Sequence, residues 1–190
     1  MSEDKSAYRQ IMKATSIFGG VQVFQIIIGI IRSKFIAVLL GPAGMGVSGL
    51  LNSTTALIAG LTNFGLSTSA IKNIAGAQAE GDENKIGKVI GVFRRLVLAT
   101  GLLGMIITLL FSSYLSRLTF GNTDYTWAFA ALSITLLIDQ ISAGQSVLLR
   151  AMRQIKLMAK SSMIASVLGL ITAIPLYYVY GIKGIVPAII

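Results

Sequence analysis

The 190-residue sequence contains no cysteine and no histidine, and these two absences remove several classes of function at once. Without thiols there is no disulfide framework and no cysteine nucleophile. Without imidazole the chain lacks the commonest zinc ligand and the commonest general acid or base. Paired carboxylates, a phosphate-cradling glycine loop and a nucleophile elbow are also missing. The sequence therefore predicts a protein that is not an enzyme and that uses neither a metal nor a cofactor.

Charged residues are scarce, at 12% of the chain against about 25% in ordinary soluble domains. Hydrophobic residues make up 54%, and they occur in runs that are too long for a soluble core. The net charge is +9, but the basic residues lie at the ends of apolar runs and do not alternate with aromatic residues. This pattern predicts a multi-pass membrane protein and argues against nucleic acid as a partner.

Turn signals divide the apolar sequence into five predicted membrane helices and the start of a sixth. The expected fold is all-α, a polytopic transmembrane helix bundle. Gly41 and Pro42 end the first helix, and residues 72–95 are expected to form a charged loop, part of it an amphipathic extension of the third helix. The predicted helices span approximately residues 12–40, 45–71, 96–115, 126–149 and 161–180, followed by 185–190. Because six residues cannot cross a bilayer, we expect the sixth helix to be truncated and the intact protein to continue.

The basic residues also orient the predicted helices. If the helices alternate in direction, twelve of the 16 lysines and arginines fall on one side of the membrane. Cytoplasmic loops carry the excess of basic residues, so we expect that side and the N-terminus to be cytoplasmic. Aromatic residues typical of membrane surfaces lie on the other, non-cytoplasmic side, at the start of the fourth helix and the end of the fifth. They are Tyr125, Trp127, Tyr177, Tyr178 and Tyr180.

Three predicted helices carry polar side chains at membrane depth. The first carries them mainly along one face, the second carries two that are eleven residues apart, and the fourth carries an acidic residue near its middle. Polar groups at this depth are costly and commonly mark a substrate pathway. The predicted substrate-binding residues are Gln22, Gln25, Arg32, Lys34, Asn52, Asn63 and Asp139.

Each of these residues also has a structural alternative. Arg32 and Lys34 are close enough to the end of their helix for the charges to reach the outer headgroups. The amides would then only hydrogen-bond between helices, and Asp139 would form a buried salt bridge or stay protonated. A stripe of small residues in the fifth helix predicts a helix-packing surface, and it consists of Ser161, Ala165, Gly169 and Ala173.

Several motifs resemble those of bacterial flippases for lipid-linked oligosaccharides. The sharpest is the segment from Lys34 to Gly49, which contains Gly41-Pro42-Ala43-Gly44. Residues 63–66, 70–75 and 181–187 fit the same pattern. The chain thus resembles the O-antigen and enterobacterial-common-antigen translocases of the multidrug/oligosaccharidyl-lipid/polysaccharide exporter superfamily.

The resemblance implies twelve helices in two six-helix lobes around a central cavity, with residues 1–190 forming most of the N-terminal transmembrane lobe. It implies a protein of the bacterial inner membrane that moves a polyprenyl-diphosphate-linked oligosaccharide, such as an O-antigen unit of lipopolysaccharide, to the outer leaflet by alternating access. Related flippases for cell-wall precursors carry a functional arginine in the first helix, and Arg32 occupies that place here. Arginine can bind a diphosphate bidentately, whereas amides and hydroxyls suit sugars.

The partners that follow are a lipid-linked oligosaccharide, membrane lipids, a C-terminal lobe, a coupling ion (H+ or Na+) and the polysaccharide polymerase machinery. Two alternatives stay open. One is a cation-coupled multidrug exporter of the same superfamily, and the other is a non-transporting membrane scaffold or assembly subunit of a glycan polymerase. A scaffold would use the polar stripes for contacts between helices, so those stripes would not be accessible to water.

Overall fold

The computed structural model describes residues 2–63, 65–80 and 83–190. α-Helices account for almost all of these residues, and no strand occurs among them. The helices are α1 (Ser2–Asn63), α2 (Leu66–Glu80), α3 (Glu83–Leu110), α4 (Ser112–Phe120), α5 (Thr126–Ala151), α6 (Ile155–Tyr180) and α7 (Ile185–Ile189). A 3-10 turn (Gly181–Gly184) joins α6 to α7. The predicted all-α fold is therefore confirmed.

In the described parts of the chain, four helical stretches are long and apolar enough to cross a membrane. They are Gly19–Asn63, Asn84–Leu110, Thr126–Ala151 and Ile155–Ile189. The first has 45 residues, more than twice the roughly 20 residues that one crossing requires. It therefore contains both the first and the second predicted helix.

Gly41 interrupts α1 and divides it into two helical segments, 2–40 and 42–63. Its φ of 66° and ψ of −169° are not helical, and a residue with a Cβ would be strained at this φ. Pro42 follows, and a proline is tolerated in the first turn of a helix because its missing N–H would have no partner there. The sequence placed this turn correctly, although only one residue leaves the helical conformation.

The predicted charged loop over residues 72–95 is wrong over most of its length, whereas the predicted helical extension of the third helix is confirmed by α3. α2 continues to Glu80 and α3 begins at Glu83, so both sides of this segment are helical. The second predicted helix, expected to run unbroken over 45–71, is instead interrupted near Gly65, whose φ is 68°. The missed signal was apolar residues at helical spacing among the charges, which are buried at Ala70, Ile74, Ala77, Phe93 and Val97.

Other helix boundaries also differ from the predicted ones. The third predicted helix, 96–115, is α3 followed by the short α4, so the expected outer loop over 116–125 shrinks to residues 121–125. α6 begins at Ile155 rather than at residue 161, so its first turns include the basic residues Lys156 and Lys160. The start of a sixth helix at 185–190 is present as α7.

Two apolar cores lie at opposite ends of the bundle. We call the end with the turns at Gly41, Gly121 and Gly181 the outer end and the opposite end the inner end, following the predicted orientation. The outer core combines α1, α5, α6 and α7 through Ile36, Leu40, Leu51, Ala128, Phe129, Leu132, Ala173, Tyr177, Ile185 and Val186. The inner core combines α2, α3 and α5 through Ala70, Ile74, Phe93, Val97, Val147, Leu148 and Ala151.

α3 and α5 approach each other closely because glycines face the partner helix. A Cβ on Gly101 would lie 2.9 Å from Leu137 Cδ1, and a Cβ on Gly144 would lie 2.9 Å from Val97 Cγ1. Small residues allow this approach between membrane helices. A side-chain hydrogen bond between the two helices also lies here, from Gln140 Nε2 to Thr100 Oγ1 over 3.1 Å.

The first segment of α1, before Gly41, and the middle of α6 are covered much less. No residue between Gly19 and Phe35 is buried, and none between Lys160 and Leu168. The two helices do contact each other. Of the small stripe predicted to pack helices, Ser161 and Ala165 are exposed, Gly169 is half-buried and only Ala173 is buried, so that prediction is wrong for its inner part within this chain.

Candidate functional site

One stripe of α5 changes its surroundings from the outer to the inner end. Ala128, Leu132 and Thr135 lie on it at successive turns and are buried. Asp139 and Ser142 continue the same stripe inward and are exposed, and Ser146 beyond them is half-buried. The spacing of four, three, four, three and four residues keeps all six side chains on one side of the helix. The covering that α1, α6 and α7 provide at the outer core therefore ends before Asp139.

This change leaves the inner part of the stripe uncovered within the described chain. The opposite side of α5, through Gly144 and Val147, is packed against α3 and the inner core, so the helix itself is held firmly. Asp139 forms no hydrogen bond or ion pair with any other described residue. An acidic side chain at this depth that is neither paired nor buried points to contact with water or a ligand.

Arg32 lies on the side of α1 that faces α6 and α7. Its Nη2 donates a hydrogen bond of 3.0 Å to the Ala188 carbonyl and a longer one of 3.5 Å to the Tyr177 hydroxyl. Both acceptors are neutral, and no acidic side chain in the described chain pairs with this guanidinium. Since a guanidinium carries five N–H groups, donors on Nε and Nη1 are left for another acceptor.

Tyr177 is a neighbour of Arg32 that the sequence did not identify. It was predicted to belong to an interfacial belt, but it is only 2% exposed and lies in the outer core, so that prediction is wrong for this residue. Tyr178 and Tyr180 are exposed at 79% and 61%. The three tyrosines differ because successive residues on a helix point 100° apart. Burial of Tyr177 aims its hydroxyl at Arg32.

Lys34 does not accompany Arg32. The two residues are two positions apart, which turns them about 160° away from each other around the helix. Lys34 is exposed and shares its side of α1 with Ile27, Ile30 and Val38, all at least half exposed. A cation on this apolar side is placed to reach headgroups along its own stem. Its predicted role in substrate binding stays a prediction.

The two predicted glutamines of α1 lie at its inner half. Gln25 is half-buried on the same side as Arg32, and Gln22 is exposed nearby. Neither makes a side-chain hydrogen bond to another described residue. Their amides are therefore available to a polar ligand or to water.

The two predicted asparagines of the second α1 segment bond locally. Asn52 Nδ2 donates to the Ser48 carbonyl over 2.7 Å, within its own helix. Asn63 Nδ2 lies 3.5 Å from Ser67 Oγ, across the interruption between α1 and α2. Neither forms the bond between distant helices that was the structural alternative. Gln140, near Asp139, forms such a bond instead.

The structure brings none of the seven predicted side chains into direct contact with one another. Within the described residues, no two of the seven predicted side chains share a hydrogen bond or ion pair. Arg32 is close to the outer core, whereas Asp139 lies ten residues, or about 15 Å along α5, inward of Phe129. The two charges lie at different depths of the bundle.

The chain was compared with known proteins. Residues 35–188 match the family model described as "Polysaccharide biosynthesis protein". The chain belongs to this family. Asn52, Asn63, Asp139, Tyr177 and Ala188 fall within the matched range, which begins three residues after Arg32.

Two curated relatives are similar to this family member. The proteins named "Lipid III flippase" from Escherichia coli (strain K12) and from Shigella flexneri are each 25% identical to it over 156 residues. The alignment covers 82% of this chain and 36% of each relative, so the chain spans about a third of their length. No solved structure matches. Family and relatives together support a role among lipid-linked flippases.

Proposed function

We propose that this protein forms one wall of a translocation pathway for a polyprenyl-diphosphate-linked oligosaccharide, an O-antigen unit or a related surface glycan. It acts in the bacterial inner membrane with a cytoplasmic N-terminus and as the N-terminal lobe of a two-lobe flippase. The cleft beside the inner half of α5 admits the headgroup from the inner leaflet. Alternating access then releases it to the outer leaflet.

The proposal rests on one observation. Along one side of α5, buried residues toward the outer end are followed by Asp139 and Ser142, which are exposed, and Ser146, which is half-buried. The outer core holds α1, α5 and α6 together, while the first segment of α1 and the middle of α6 contain no buried residue over long stretches. A side of α5 that is covered at one end and open at the other fits one state of alternating access. Polar residues on its wall would replace the hydration of a sugar headgroup.

Arg32 supplies the charge that a diphosphate needs. Its bonds to neutral acceptors fix the guanidinium without neutralising it. N–H donors remain that can form charge-assisted bonds to phosphate oxygens. Asp139 is not paired with it, so Asp139 is available to bind a coupling cation, H+ or Na+.

A flipping assay with the full-length protein in proteoliposomes tests these roles. We expect Arg32→Ala to lower the rate of oligosaccharide flipping about tenfold or more, because a charged hydrogen bond contributes about 1.5–3 kcal/mol. Arg32→Lys should retain part of the rate, since lysine keeps the charge but not the bidentate geometry. Arg117→Ala, an exposed arginine of α4, is the matched control. Equal rates for Arg32→Ala and Arg117→Ala would exclude Arg32 from the pathway.

Tyr177→Phe separates binding from folding. This change removes the hydroxyl that Arg32 contacts at 3.5 Å but leaves the guanidinium and its bond to Ala188. We expect nearly unchanged flipping in this variant. A loss as large as that of Arg32→Ala, accompanied by a lower melting temperature, would assign Arg32 a role in holding α1 to α6 instead.

Cysteine accessibility tests the cleft itself. Because the chain has no native cysteine, single cysteines can be introduced into an otherwise unchanged sequence. We expect Ser142→Cys and Ser146→Cys to react with a membrane-impermeant maleimide added from the cytoplasmic side. Ala128→Cys, fully buried on the same stripe, and Ile134→Cys, exposed on the apolar side of α5, should not react. Equally slow labelling of all four would favour a membrane scaffold over a flippase.

A further inference from the structure

A groove between α2 and α3 opens at the inner end, outside the cleft described above. Its volume is about 520 Å³. Apolar side chains form much of its wall, namely Ala70, Ala77, Val89, Val92, Phe93 and Leu96. Lys72, Lys85 and Lys88 line the same groove, and none of the described residues around it is acidic. An apolar channel with a cationic rim suits an amphipathic anion.

A second cavity adjoins this groove on the α3 side. It has a volume of about 640 Å³ and is lined by Asn84, Gly87, Lys88, Gly91, Val92 and Arg95. Lys88 and Val92 belong to both cavities. Two glycines on this side of α3 remove side chains that would otherwise fill the surface. A headgroup bound at Lys88 therefore has space on both sides.

The groove crosses the expected level of the membrane surface. The uncharged apolar run of α3 begins at Leu96, and Lys88 lies eight residues earlier, about 12 Å along the helix. Phe93 and Leu96 thus lie near the hydrocarbon boundary, whereas Lys72 and Lys88 lie in the headgroup layer. Lysine stems can follow apolar surface while their ammonium groups reach phosphate.

We propose that this groove binds one anionic phospholipid of the inner leaflet. An acyl chain lies against Val92, Phe93 and Leu96, and Lys72 and Lys88 contact the phosphate. The site is separate from the stripe of α5 that faces the translocation cleft, because its walls come from α2 and α3 alone. A lipid bound here would hold the α2–α3 hairpin, whose far ends extend beyond the apolar spans, against the membrane surface.

Lipid retention measured by native mass spectrometry tests the proposal. The full-length protein is purified, stripped of lipid and titrated with phosphatidylglycerol or phosphatidylcholine. We expect Lys72→Gln with Lys88→Gln to weaken binding of phosphatidylglycerol about fivefold for each lysine removed. The control pair Lys156→Gln with Lys160→Gln removes the same charge from exposed lysines of α6 on the same side of the membrane, and it should bind as the wild type does.

Two further measurements distinguish a lipid from other ligands. Val92→Asn changes a half-exposed groove residue without removing charge, and it should also weaken phosphatidylglycerol binding. Inorganic phosphate should not displace the lipid, because it cannot use the apolar wall. Equal losses in the two lysine pairs, equal retention of phosphatidylcholine, or displacement by inorganic phosphate would each overturn the proposal. None of these outcomes depends on whether the protein flips an oligosaccharide.

Discussion

The outer and inner halves of this bundle are built differently from the same helices. At the outer end α1, α5, α6 and α7 share one core around the fully buried Phe129. At the inner end α5 stays packed on α2 and α3, while the first segment of α1 has no buried residue over 19–35 and α6 has none over 160–172. The difference divides the molecule into a tight α3–α5 block, on which Thr62 of the second α1 segment also packs at Gly104, and a looser pair formed by the first α1 segment and α6.

The comparison explains where polar residues are tolerated. In the tight block, polar side chains satisfy one another or the backbone, as Gln140 does with Thr100. Along the open side, Asp139 and Gln25 have no partner among the described side chains. Groups left without a partner at membrane depth require water or a ligand. If the division is correct, equivalent substitutions in the two regions will have unequal effects.

The largest difference is expected for glycines of the two regions. Gly144→Val places a branched Cβ 2.9 Å from Val97 Cγ1, and overpacking of this kind costs about 2–3 kcal/mol. Gly169→Val in α6 has no neighbouring atom within 4 Å of the new Cβ, so its effect should be small. Thermal unfolding in detergent measures both. Similar losses of stability would contradict the division into a tight block and a loose pair.

The turn at Gly41, at the outer end, provides the next test. Gly41→Ala forces a Cβ into a φ of 66°, at a cost of about 1–2 kcal/mol in unfolding free energy. Gly46→Ala, five residues later in regular helix and with open space around its Cβ, should be neutral or stabilising by up to about 1 kcal/mol. Opposite signs in a denaturant titration are expected. A neutral Gly41→Ala would mean that the kink has a different cause.

A smaller effect is expected for the bond within the tight block. Gln140→Leu removes the hydrogen bond to Thr100, and such bonds between membrane helices contribute about 0.6–2 kcal/mol. Gln145→Leu, exposed one and a half turns later on the same helix, is the control and should leave stability unchanged. The same unfolding assay applies. A greater loss for Gln145→Leu would reverse the assignment of buried and open faces.

The sequence predicted features that are local along the chain. The all-α fold, the turn at Gly41, and the start of a helix at Ile185 all follow from residue types within a few positions of each other. The α2–α3 hairpin was missed because charge content suggested a loop, although Ala70, Ile74 and Phe93 kept a helical spacing. A charged helix that extends beyond the membrane has a composition similar to that of a loop. It is recognised as a helix only from the helical spacing of its apolar residues.

Contacts between distant segments could not be predicted in the same way. Their polarity at membrane depth identified Arg32 and Asp139 from the sequence. It did not predict which residues each would contact. Arg32 meets residues 145 and 156 positions away, so its partners depend on how α1 packs against α6 and α7. The exposure of Asp139 depends on where the outer core ends. Neither fact is encoded near the residue itself.

The smallest effect concerns two buried threonines that differ only in their bonding. Among the described residues, Thr135 carries the buried hydroxyl without a partner, and it lies where the stripe of α5 is last covered. Thr108 of α3, also buried, donates to the Gly104 carbonyl over 2.8 Å. Thr135→Val should therefore be neutral or stabilising by up to about 1 kcal/mol, because an unsatisfied group is removed.

Thr108→Val should instead destabilise by about 0.5–1 kcal/mol, since a made hydrogen bond is lost. The two variants have the same change in shape, so the difference in their unfolding midpoints reports bonding alone. If Thr135→Val destabilises as much as Thr108→Val, the Thr135 hydroxyl has a partner, such as a water that enters from the cleft. The covered part of the α5 stripe would then end one turn closer to the outer core.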